Sequence, residues 1–591
     1  MLNTTLESVL AQAIELHQAG QDNEAEALYR TILASPSPHA IARYGLGLLR
    51  TSQGRLQEAI DAYTNAITIR PDYVDAHVNL GAMLLSAGRP EQALAVYQRA
   101  LGINPENAVL LGNLGKALQD LGRIEEALAA YRQALACQPD NATAWNNLGA
   151  ALLEQGAWDE CAAALRQSIG LRPEQAVAHA NLGSALLHLG QHEEALAACR
   201  RAAALQPHSA PILATLGGAM LELGALEEAT ALCEQAIKLD PARPDAYFNL
   251  SHARKALNQL DGAAQAARQA LALHPDSADY HFHLAHILLL QGDFDAGWVD
   301  WRWMLPDFAC LQRAYGPFSQ PQWIGQDISD KAILIYTEQG LGDIIQFARY
   351  LPLAVRKARR VIVAASPSVR RLLECIEGIE LITLERDPLP AFDVHCPLLS
   401  LPRAFGTRLD TIPSAVPYLR ADPTAQARWA GRIGHHGFRV GIVWAGNPAT
   451  RRDRFRSPGL GNVAPLFSIP GVQFVVLQKG PGRQDCEATP LPSHVIDLGP
   501  EIDDLTDTAA IMSGLDLVIT SCTGPLHLAG ALGVPTWAMI PFAPYFPWLL
   551  NRTDTPWYPT MRLYRQETPG QDWSGVVARI AADLATLSAR R

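Results

Sequence analysis

The stretch DYVDAHVNLGAMLLSAGRPEQALAVYQRALGINP, residues 72–105, decides the fold of the first half of the chain. Its landmark proline, glycine and alanine recur at a constant step of 34 residues. The prolines stand at 71, 105, 139, 173, 207, 241 and 275, the glycines at 20, 54, 88, 122, 156, 190, 224 and 292, and the alanines at 25, 59, 93, 127, 195, 229 and 263. Asn258 fills the one vacant glycine slot. Such a fixed period indicates stacked copies of one structural unit.

Each copy has the pattern of a helical hairpin. Leu80 and Leu84 are four residues apart and share one face of a first helix. Gly88 can end that helix because it lacks a Cβ, and Ala93 lets a second helix approach closely. Pro105 stops the second helix. The spacing predicts about nine helix pairs over residues 6–305, with divergent first and last pairs.

This unit resembles the tetratricopeptide repeat. The residues that match that family's consensus in the unit ending at residue 105 are Leu80, Gly81, Ala93, Tyr97, Ala100 and Pro105. The resemblance implies an all-α superhelix over residues 1–305 that binds a protein partner along its concave face.

A row of asparagines occupies one position of the 34-residue repeat, just before the leucine of the first helix. Its members are Asn79, Asn113, Asn147, Asn181 and Asn249, and Thr215 and His283 fill the same slot in two other units. The row is similar to the asparagine ladder of the O-GlcNAc transferase superhelix, which grips an extended peptide backbone. An amide side chain can donate to and accept from a peptide unit. We interpret the row as a peptide-binding ladder; the alternative is that asparagine is a common consensus residue there.

Bulk composition excludes several classes of protein. The net charge of −11 gives no basic footprint for nucleic acid. No apolar run reaches the length of a membrane span, and the N-terminus has no basic region typical of a signal peptide. Nine cysteines without a CxxC pair suggest reduced thiols. The sequence therefore predicts a soluble, cytoplasmic protein.

The composition changes near residue 305. Trp298, Trp301 and Trp303 are expected to pack the last helix onto the next domain, and residues 306–330 form a connector. Beyond it, short β-branched runs alternate with helical stretches such as 343–358. The predicted strands are 331–337, 360–366, 379–383, 392–396, 438–446, 472–480, 494–499, 515–521 and 535–542.

This alternation predicts parallel sheets covered by helices on both faces. A split near residue 425 gives two Rossmann-like lobes, 331–425 and 426–591. Ligands bind such sheets at the carboxyl ends of the strands.

Two motifs of this half carry candidate chemistry. In EQGLGDIIQFARYLP, residues 338–352, Asp343 follows a glycine-rich turn and opens a helix. A helix cap is the plainer interpretation of this aspartate. In LDLVITSCTGPLHLAGALGVPTW, residues 515–537, Thr523 and Gly524 stand at a helix N-terminus, which can bind an anion. His527 lies one turn further.

In this order the two motifs resemble the heptosyltransferase-like glycosyltransferases, glycosyltransferase family 9, over residues 331 to 590. The matching residues are Gly342, Asp343, Thr523, Gly524, His527 and Ala529. The resemblance implies a GT-B fold with an acceptor-side first lobe and a nucleotide-sugar-side second lobe. It also implies that Asp343 is the base, that Thr523, Gly524 and His527 hold the donor diphosphate, and that no metal is needed. Cys522 departs from the family, which has an aspartate there.

A third motif, WAGNPATRRDRFRSPG at residues 444–459, follows the first strand of the second lobe. Arginine suits phosphate oxygens, so the loop is a candidate donor-phosphate site, although a solvated basic loop has the same composition. The further candidates are Asn447, Arg452 and Arg456 in this loop, Gln478 and Lys479 after the next strand, and His395 on the acceptor side.

These features favour a glycosyltransferase that moves a sugar from a nucleoside-diphosphate donor to a hydroxyl group with inversion, needing no cofactor besides its donor substrate. The repeats would deliver a protein acceptor. Two alternatives remain open. Cys522 could mark a catalytically degenerate transferase that serves as a repeat scaffold, or the acceptor could be a glycan or lipid-linked saccharide. No sequence motif supports a serine or metal hydrolase.

Overall fold

The computed structural model describes residues 2–35, 38–301, 318–338, 340–384, 386–434, 437–448, 450 and 453–590. The chain divides into two compact units, Met1–Ala219 and Met220–Arg591. The division lies inside the repeats, so the last repeat helices belong to the same unit as the C-terminal α/β part. The 34-residue period gives no sign of such a division.

The repeats form eighteen helices within the described residues, as the period predicts. They are α1 Leu2–Gln18, α2 Asp22–Leu33, α3 Ala40–Ser52, α4 Leu56–Ile69, α5 Val74–Ser86, α6 Pro90–Ile103, α7 Ala108–Asp120, α8 Ile124–Cys137, α9 Ala142–Gln155, α10 Trp158–Leu171, α11 Ala176–His188, α12 His192–Leu205, α13 Ala210–Leu223, α14 Leu226–Leu239, α15 Pro244–Ala256, α16 Leu260–Leu273, α17 Ala278–Gln291 and α18 Phe294–Trp301.

Backbone geometry explains the landmark residues of the repeat. Gly88 has φ +68°, the left-handed conformation that a glycine adopts without strain, and the glycines in the equivalent slots also have positive φ. Asn258, the one substitute in this series, has φ 58°. A Cβ on Gly81 would come within 2.3 Å of the Tyr97 ring, so glycine lets the two helices of a hairpin touch. These contacts confirm the tetratricopeptide fold.

In the described ranges the α/β part contains two parallel sheets, which confirms the predicted α/β class. Their strands are β1 Ala332–Tyr336, β2 Arg360–Ala365, β3 Ile379–Thr383, β4 Val394–Pro397, β5 Phe438–Val443, β6 Val472–Val476, β7 Ile496–Asp497, β8 Leu517–Ser521, β9 Thr536–Ile540 and β10 Met561–Arg565. The first sheet has the order β3-β2-β1-β4 and the second the order β10-β9-β8-β5-β6-β7. Among the strands of the described residues, the sequence pattern missed β10.

Helices connect these strands and cover the sheets. Their bounds are Leu341–Phe347, Leu351–Val355, Pro367–Leu373, Leu401–Ala404, Pro423–Ile433, Leu460–Val463, Asp485–Ala488, Leu505–Met512, Gly524–Ala531 and Ser574–Ser588. The single helix predicted over 343–358 was wrong: a 3-10 turn at Ala348–Tyr350 interrupts it. Pro352, which has no N–H and disfavours the α conformation before it, stands just beyond the break. No helix in the described ranges is long and apolar enough to cross a membrane.

Within the second unit, the last repeat helices pack directly on the α/β part. Trp298 donates its Nε1 hydrogen to the carbonyl oxygen of Thr407 at 2.9 Å, and Trp301 donates to that of Leu399 at 3.1 Å. Both indoles are buried in one apolar cluster with residues of the first sheet. The expected packing role of these two tryptophans is confirmed; Trp303 lies outside the described residues.

Candidate active site

Two helix N-termini meet between the sheets. We call Leu341–Phe347 the Asp343 helix; it follows β1. We call Gly524–Ala531 the His527 helix; it follows β8. The two helices pack together, and a Cβ on Gly342 would lie 3.1 Å from Cδ2 of His527 and 3.5 Å from Cα of Gly524. The two helices follow strands of different sheets. The residues of the two sequence motifs are therefore in contact at the carboxyl ends of their strands.

The carboxylate of Asp343 lies in this contact region and is half-buried. The hydroxyl of Tyr545 donates a hydrogen bond to Oδ1 at 3.2 Å. Burial raises the pKa of Asp343 to about 6, although the Tyr545 bond and the charge of Arg456 act in the opposite direction. The group is therefore largely ionised at neutral pH and is basic enough to accept a proton.

His527 is 5% exposed, and its Nδ1 lies 2.9 Å from the hydroxyl of Tyr558. Burial, together with the charges of Arg349 and Arg456, lowers the pKa of His527 to about 3. The imidazole is thus neutral at pH 7, with one nitrogen as donor and the other as acceptor. Its ring also packs against Trp548, with centroids 5.3 Å apart.

The loop after β5 brings a cation to the His527 helix. Nε of Arg456 donates to Oδ1 of Asp453 at 2.8 Å, and the Ser457 hydroxyl donates to Oδ2 at 2.8 Å. The backbone nitrogen of Gly446 donates to that hydroxyl at 2.9 Å. A Cβ on Gly446 would meet Cγ2 of Thr523 at 2.9 Å and Nη2 of Arg456 at 3.3 Å. Arg456 is thereby held beside the start of the His527 helix.

The structure thus groups Asp343, Arg456, Thr523, Gly524 and His527. Asn447 is exposed in the same loop as Arg456. Arg452 lies outside the described residues.

Gln478 is 1% exposed, and its amide is engaged with backbone groups. Oε1 accepts from the nitrogens of Trp444 at 3.0 Å and Ala445 at 2.9 Å, and Nε2 donates to the oxygens of Ala445 and Lys479. This side chain fixes the turn after β5. A direct role in donor binding stays a prediction.

Lys479 donates its Nζ hydrogens to the carbonyl oxygens of Ile502 and, at 2.8 Å, Asp503. It therefore holds the loop before the helix Leu505–Met512. Its predicted contact with a donor would require those bonds to be exchanged.

His395 is buried on β4, which pairs with β1. Its Nδ1 lies 3.5 Å from the Tyr336 hydroxyl, and its ring packs 5.4 Å from that of Phe318. Burial lowers the pKa of His395. His395 therefore packs against aromatic side chains, and its acceptor-side role stays a prediction.

The predicted asparagine ladder lies on the first helices of successive hairpins. Asn79, Asn113, Asn147 and Asn181 are half-buried on α5, α7, α9 and α11, and these helices contact one another in turn. Asn249, in the second unit, is also half-buried. Nδ2 of Asn79 donates to the hydroxyl of Tyr44 on α3 at 3.0 Å.

Sequence reasoning missed the aromatic residues that surround the site. Tyr545 and Trp548 lie in the loop after β9. This loop follows the carboxyl end of a parallel strand, and that position could have marked its residues as candidates for the site. Trp548 donates its Nε1 hydrogen to Sγ of Cys522 at 2.9 Å. Burial raises the pKa of that thiol to about 11. The residue at the position where the resembling family has an aspartate is therefore an uncharged acceptor here.

The fold defines a tetratricopeptide-repeat protein with a C-terminal α/β part. A family profile described as the cilia and flagella-associated protein 70 C-terminal domain matches residues 2–247, and a tetratricopeptide-repeat profile matches residues 220–281.

Among curated proteins, the chain is similar to Protein FlbA of Caulobacter vibrioides (strain ATCC 19089 / CIP 103742 / CB 15), with 28% identity over 315 residues. The match covers 45% of this chain and 48% of FlbA, so the chain spans about half the length of that relative.

Among solved structures, two examples are similar to part of the chain. The APC/C hetero-tetramer Cut9–Hcn1 has a chain with 19% identity and a TM-score of 0.39, over 48% of this chain and 56% of that one. YrrB, described as a TPR protein with an unusual peptide-binding site, has 23% identity and a TM-score of 0.26, over 31% of this chain and 95% of its own.

Proposed function

We propose that the chain is a glycosyltransferase whose repeats bind a protein acceptor and whose α/β part transfers a sugar to a hydroxyl group of that acceptor. The observation that carries the proposal is the position of Asp343. A carboxylate with a pKa of about 6 lies beside Arg456 and the N-terminus of the His527 helix. A base next to a guanidinium and a helix N-terminus suits a reaction that removes a proton and releases an anion.

In this mechanism the donor is a nucleoside-diphosphate sugar. Asp343 takes the proton of the acceptor hydroxyl while the oxygen attacks the anomeric carbon from the face opposite the diphosphate. The bond from that carbon to the diphosphate oxygen breaks, and its electron pair leaves with the nucleoside diphosphate. The helix N-terminus at Gly524 and the Arg456 guanidinium stabilise the departing charge. The products are an inverted glycoside, the nucleoside diphosphate and a protonated Asp343.

A protein acceptor is favoured by the repeats. Tetratricopeptide arrays bind partners along the face formed by their first helices. In the first unit that face carries the asparagine row, whose amides suit the alternating donors and acceptors of an extended backbone. Such a row binds peptide without reading its sequence.

A repeat scaffold without turnover is the second candidate function. It is supported by the comparisons, whose two family profiles both fall on the repeats. The replacement of the family's aspartate by Cys522 also favours it, as does the engagement of Gln478 and Lys479 by backbone groups. On this hypothesis the repeats bind a partner and the α/β part supplies only structure.

The decisive experiment is a release assay of the purified full chain with a panel of nucleoside-diphosphate sugars. Release of the nucleoside diphosphate is followed with water or a mixture of polypeptides as acceptor. We expect release with at least one donor and a loss of about 100-fold or more in Asp343→Asn. Asp410→Asn, a matched change of an exposed aspartate, should keep full activity.

Absence of release with every donor would favour the scaffold. Release that is stimulated by glycans or lipid-linked saccharides, and never by polypeptides, would exclude the protein acceptor while retaining the transferase.

The asparagine row has its own test, which does not depend on turnover. Asn113, Asn147 and Asn181 are replaced together by alanine, and peptide affinity is measured by fluorescence anisotropy with a library of unfolded peptides. We expect a loss of about tenfold or more, since several backbone hydrogen bonds are removed. The matched control replaces exposed amides on the second helices, namely Asn65, Gln133 and Gln167. Equal affinity of the two triple variants would refute the ladder.

A further inference from the structure

The last repeat hairpin contacts the helix that carries the candidate base. Phe347 closes the Asp343 helix one turn after the carboxylate. Its ring centroid lies 6.4 Å from that of Trp298 and 6.5 Å from that of Trp301, both on α18. Both tryptophans are also hydrogen-bonded to the α/β part, so α18 packs against the Asp343 helix through Phe347 and supports it.

The same hairpin contacts the loop that carries Tyr545. The helix α17 packs against the 3-10 helix Phe546–Trp548. The ring of His286 on α17 lies 5.2 Å from the ring of Tyr545, and Phe546 lies 5.5 Å from Trp301. The helix that carries Asp343 and the loop that carries Tyr545 therefore both pack against the last repeat hairpin.

His286 is suited to hold Tyr545 by packing. Its Nδ1 donates to the carbonyl oxygen of Phe282 at 2.9 Å, which fixes the ring on α17. Burial lowers the pKa of His286 to about 3, so the ring is neutral at pH 7 and adds no charge near Asp343. Its contact with Tyr545 is a tilted aromatic pair, and the centroid separation of 5.2 Å lies within the range of packed aromatic rings.

We propose that Tyr545 is a positioning residue for Asp343 and that His286 of the last repeat holds Tyr545 in place, which makes this repeat hairpin a structural part of the active site. The catalytic half of this inference rests on the proposed function. The positioning role of Tyr545 concerns only the ionisation of the Asp343 carboxyl group, and this ionisation can be measured without turnover.

The groups that face Asp343 decide the sign of the expected effect. Tyr545 and Arg456 both favour the carboxylate, Cys522 is an uncharged thiol, and His527 behind Gly342 is a neutral imidazole. Loss of the Tyr545 hydroxyl removes one group that favours the carboxylate. The pKa of Asp343 then rises, and the fraction of ionised base at neutral pH falls.

The first test is Tyr545→Phe, which keeps the ring and removes the hydroxyl. Infrared difference spectra between each protein and its Asp343→Asn derivative report the carboxyl of residue 343 as a function of pH. We expect its titration midpoint to move to higher pH. The matched control is Tyr564→Phe, which removes a tyrosine hydroxyl that donates to Asp583 at 2.8 Å elsewhere in the second sheet. An unchanged midpoint in Tyr545→Phe would overturn the proposal.

Turnover supplies the second readout. In Tyr545→Phe the acid limb of the kcat profile should move to higher pH by about one pH unit, the shift expected for one lost bond to a charged group. At pH 5 kcat should therefore fall about tenfold, and at pH 7 about twofold. The KM for the donor should change little. If the wild-type chain shows no transfer at all, the proposed function fails, and the infrared midpoint still decides the positioning role.

A double-mutant cycle tests the contribution of the repeat. His286→Ala should raise the Asp343 midpoint in the same direction, and it should add nothing once Tyr545→Phe is present. His286→Phe, which keeps an aromatic ring, should restore the midpoint, and thermal melting verifies that each variant is folded. His281→Ala on the same helix is the matched control. Additive effects of His286→Ala and Tyr545→Phe, or no effect of His286→Ala, would show that the repeat does not act through Tyr545.

Discussion

Gly342 faces the imidazole of His527 so closely that a side chain at position 342 would crowd the ring. A Cβ at position 342 would lie 3.1 Å from Cδ2 of His527, closer than side chains normally approach. Gly342 of the first motif thus limits how closely His527 of the second motif can approach. The separation of Asp343 from the His527 helix depends on that approach.

Gly342→Ala should therefore reduce activity more than stability. The added methyl must displace His527 or the Asp343 helix, an overpacking that costs about 1–3 kcal/mol. We expect kcat to fall about tenfold or more, because a small displacement of the base from the acceptor is costly. Gly340→Ala is the matched control, since a Cβ there meets Oδ2 of Asp343 at an ordinary 3.7 Å. Steady-state kinetics and thermal melts of both variants give the comparison; equal activity of the two would contradict the steric argument.

Asp343 should lower the stability of the fold at neutral pH. Its pKa is about 6 in the folded chain against 3.8 in the reference state, so the folded protein binds more protons between these values. The free energy of unfolding therefore falls as pH rises from about 4 to 6, and the full cost is present above pH 6. The difference between these two pKa values corresponds to about 3 kcal/mol.

Replacement by asparagine removes this cost. Asp343→Asn should raise the melting temperature at pH 7.5 and leave it unchanged at pH 3.5, if the chain is folded there. Asp410→Asn should show no such pH dependence. A destabilised Asp343→Asn variant at pH 7.5 would show that the carboxylate is better solvated than its burial indicates.

The periodic half of the fold was predictable because local geometry repeats. The turn between the two helices of each hairpin needs a residue that tolerates positive φ, and glycine or asparagine occupies each such slot. The contact of Gly81 with Tyr97 also follows from the spacing of small and large residues. The α/β strands were predictable from their β-branched runs, since buried parallel strands are apolar throughout. The break before Pro352 was missed because the apolar pattern continues through it.

The site was only partly predictable. Asp343 and His527 were found through motifs, yet their contact joins two sheets and no sequence spacing encodes it. Tyr545 was missed because its partner lies 202 residues away. Gln478 was taken for a ligand-binding residue on its position after a strand. The structure shows its amide bonded to backbone, a role that depends on the turn after β5.

Gln478→Leu should accordingly destabilise the second sheet. The change leaves the backbone N–H groups of Trp444 and Ala445 without their acceptor in a buried turn. Each such group costs about 1–3 kcal/mol, so the free energy of unfolding should fall by about 3 kcal/mol. Gln473→Leu, at a half-buried position on β6, is the matched control. Urea unfolding measures both; a stable Gln478→Leu variant that fails only in donor binding would favour the ligand-binding role.

Cys522 should be inert in the folded protein, although it stands where the resembling family has a charged residue. Only the thiolate reacts with alkylating reagents, and burial raises the pKa of Cys522 to about 11 while leaving 7% of the residue exposed. Cys137, at the end of α8, is exposed. At pH 8, iodoacetamide should modify Cys137 within minutes and Cys522 only after unfolding in urea.

Peptide mass spectrometry of the alkylated chain reads the two sites separately, and Cys137→Ser assigns the fast phase. A companion pair of variants separates the thiol's packing from its hydrogen bond with Trp548. Cys522→Ser retains an acceptor for the indole N–H, whereas Cys522→Ala leaves that donor unpaired and should cost about 1–3 kcal/mol more. Rapid alkylation of Cys522 in the folded chain would mean that the thiol is ionised and accessible. In that case a charged group would stand beside Asp343 after all, as the aspartate of the resembling family would.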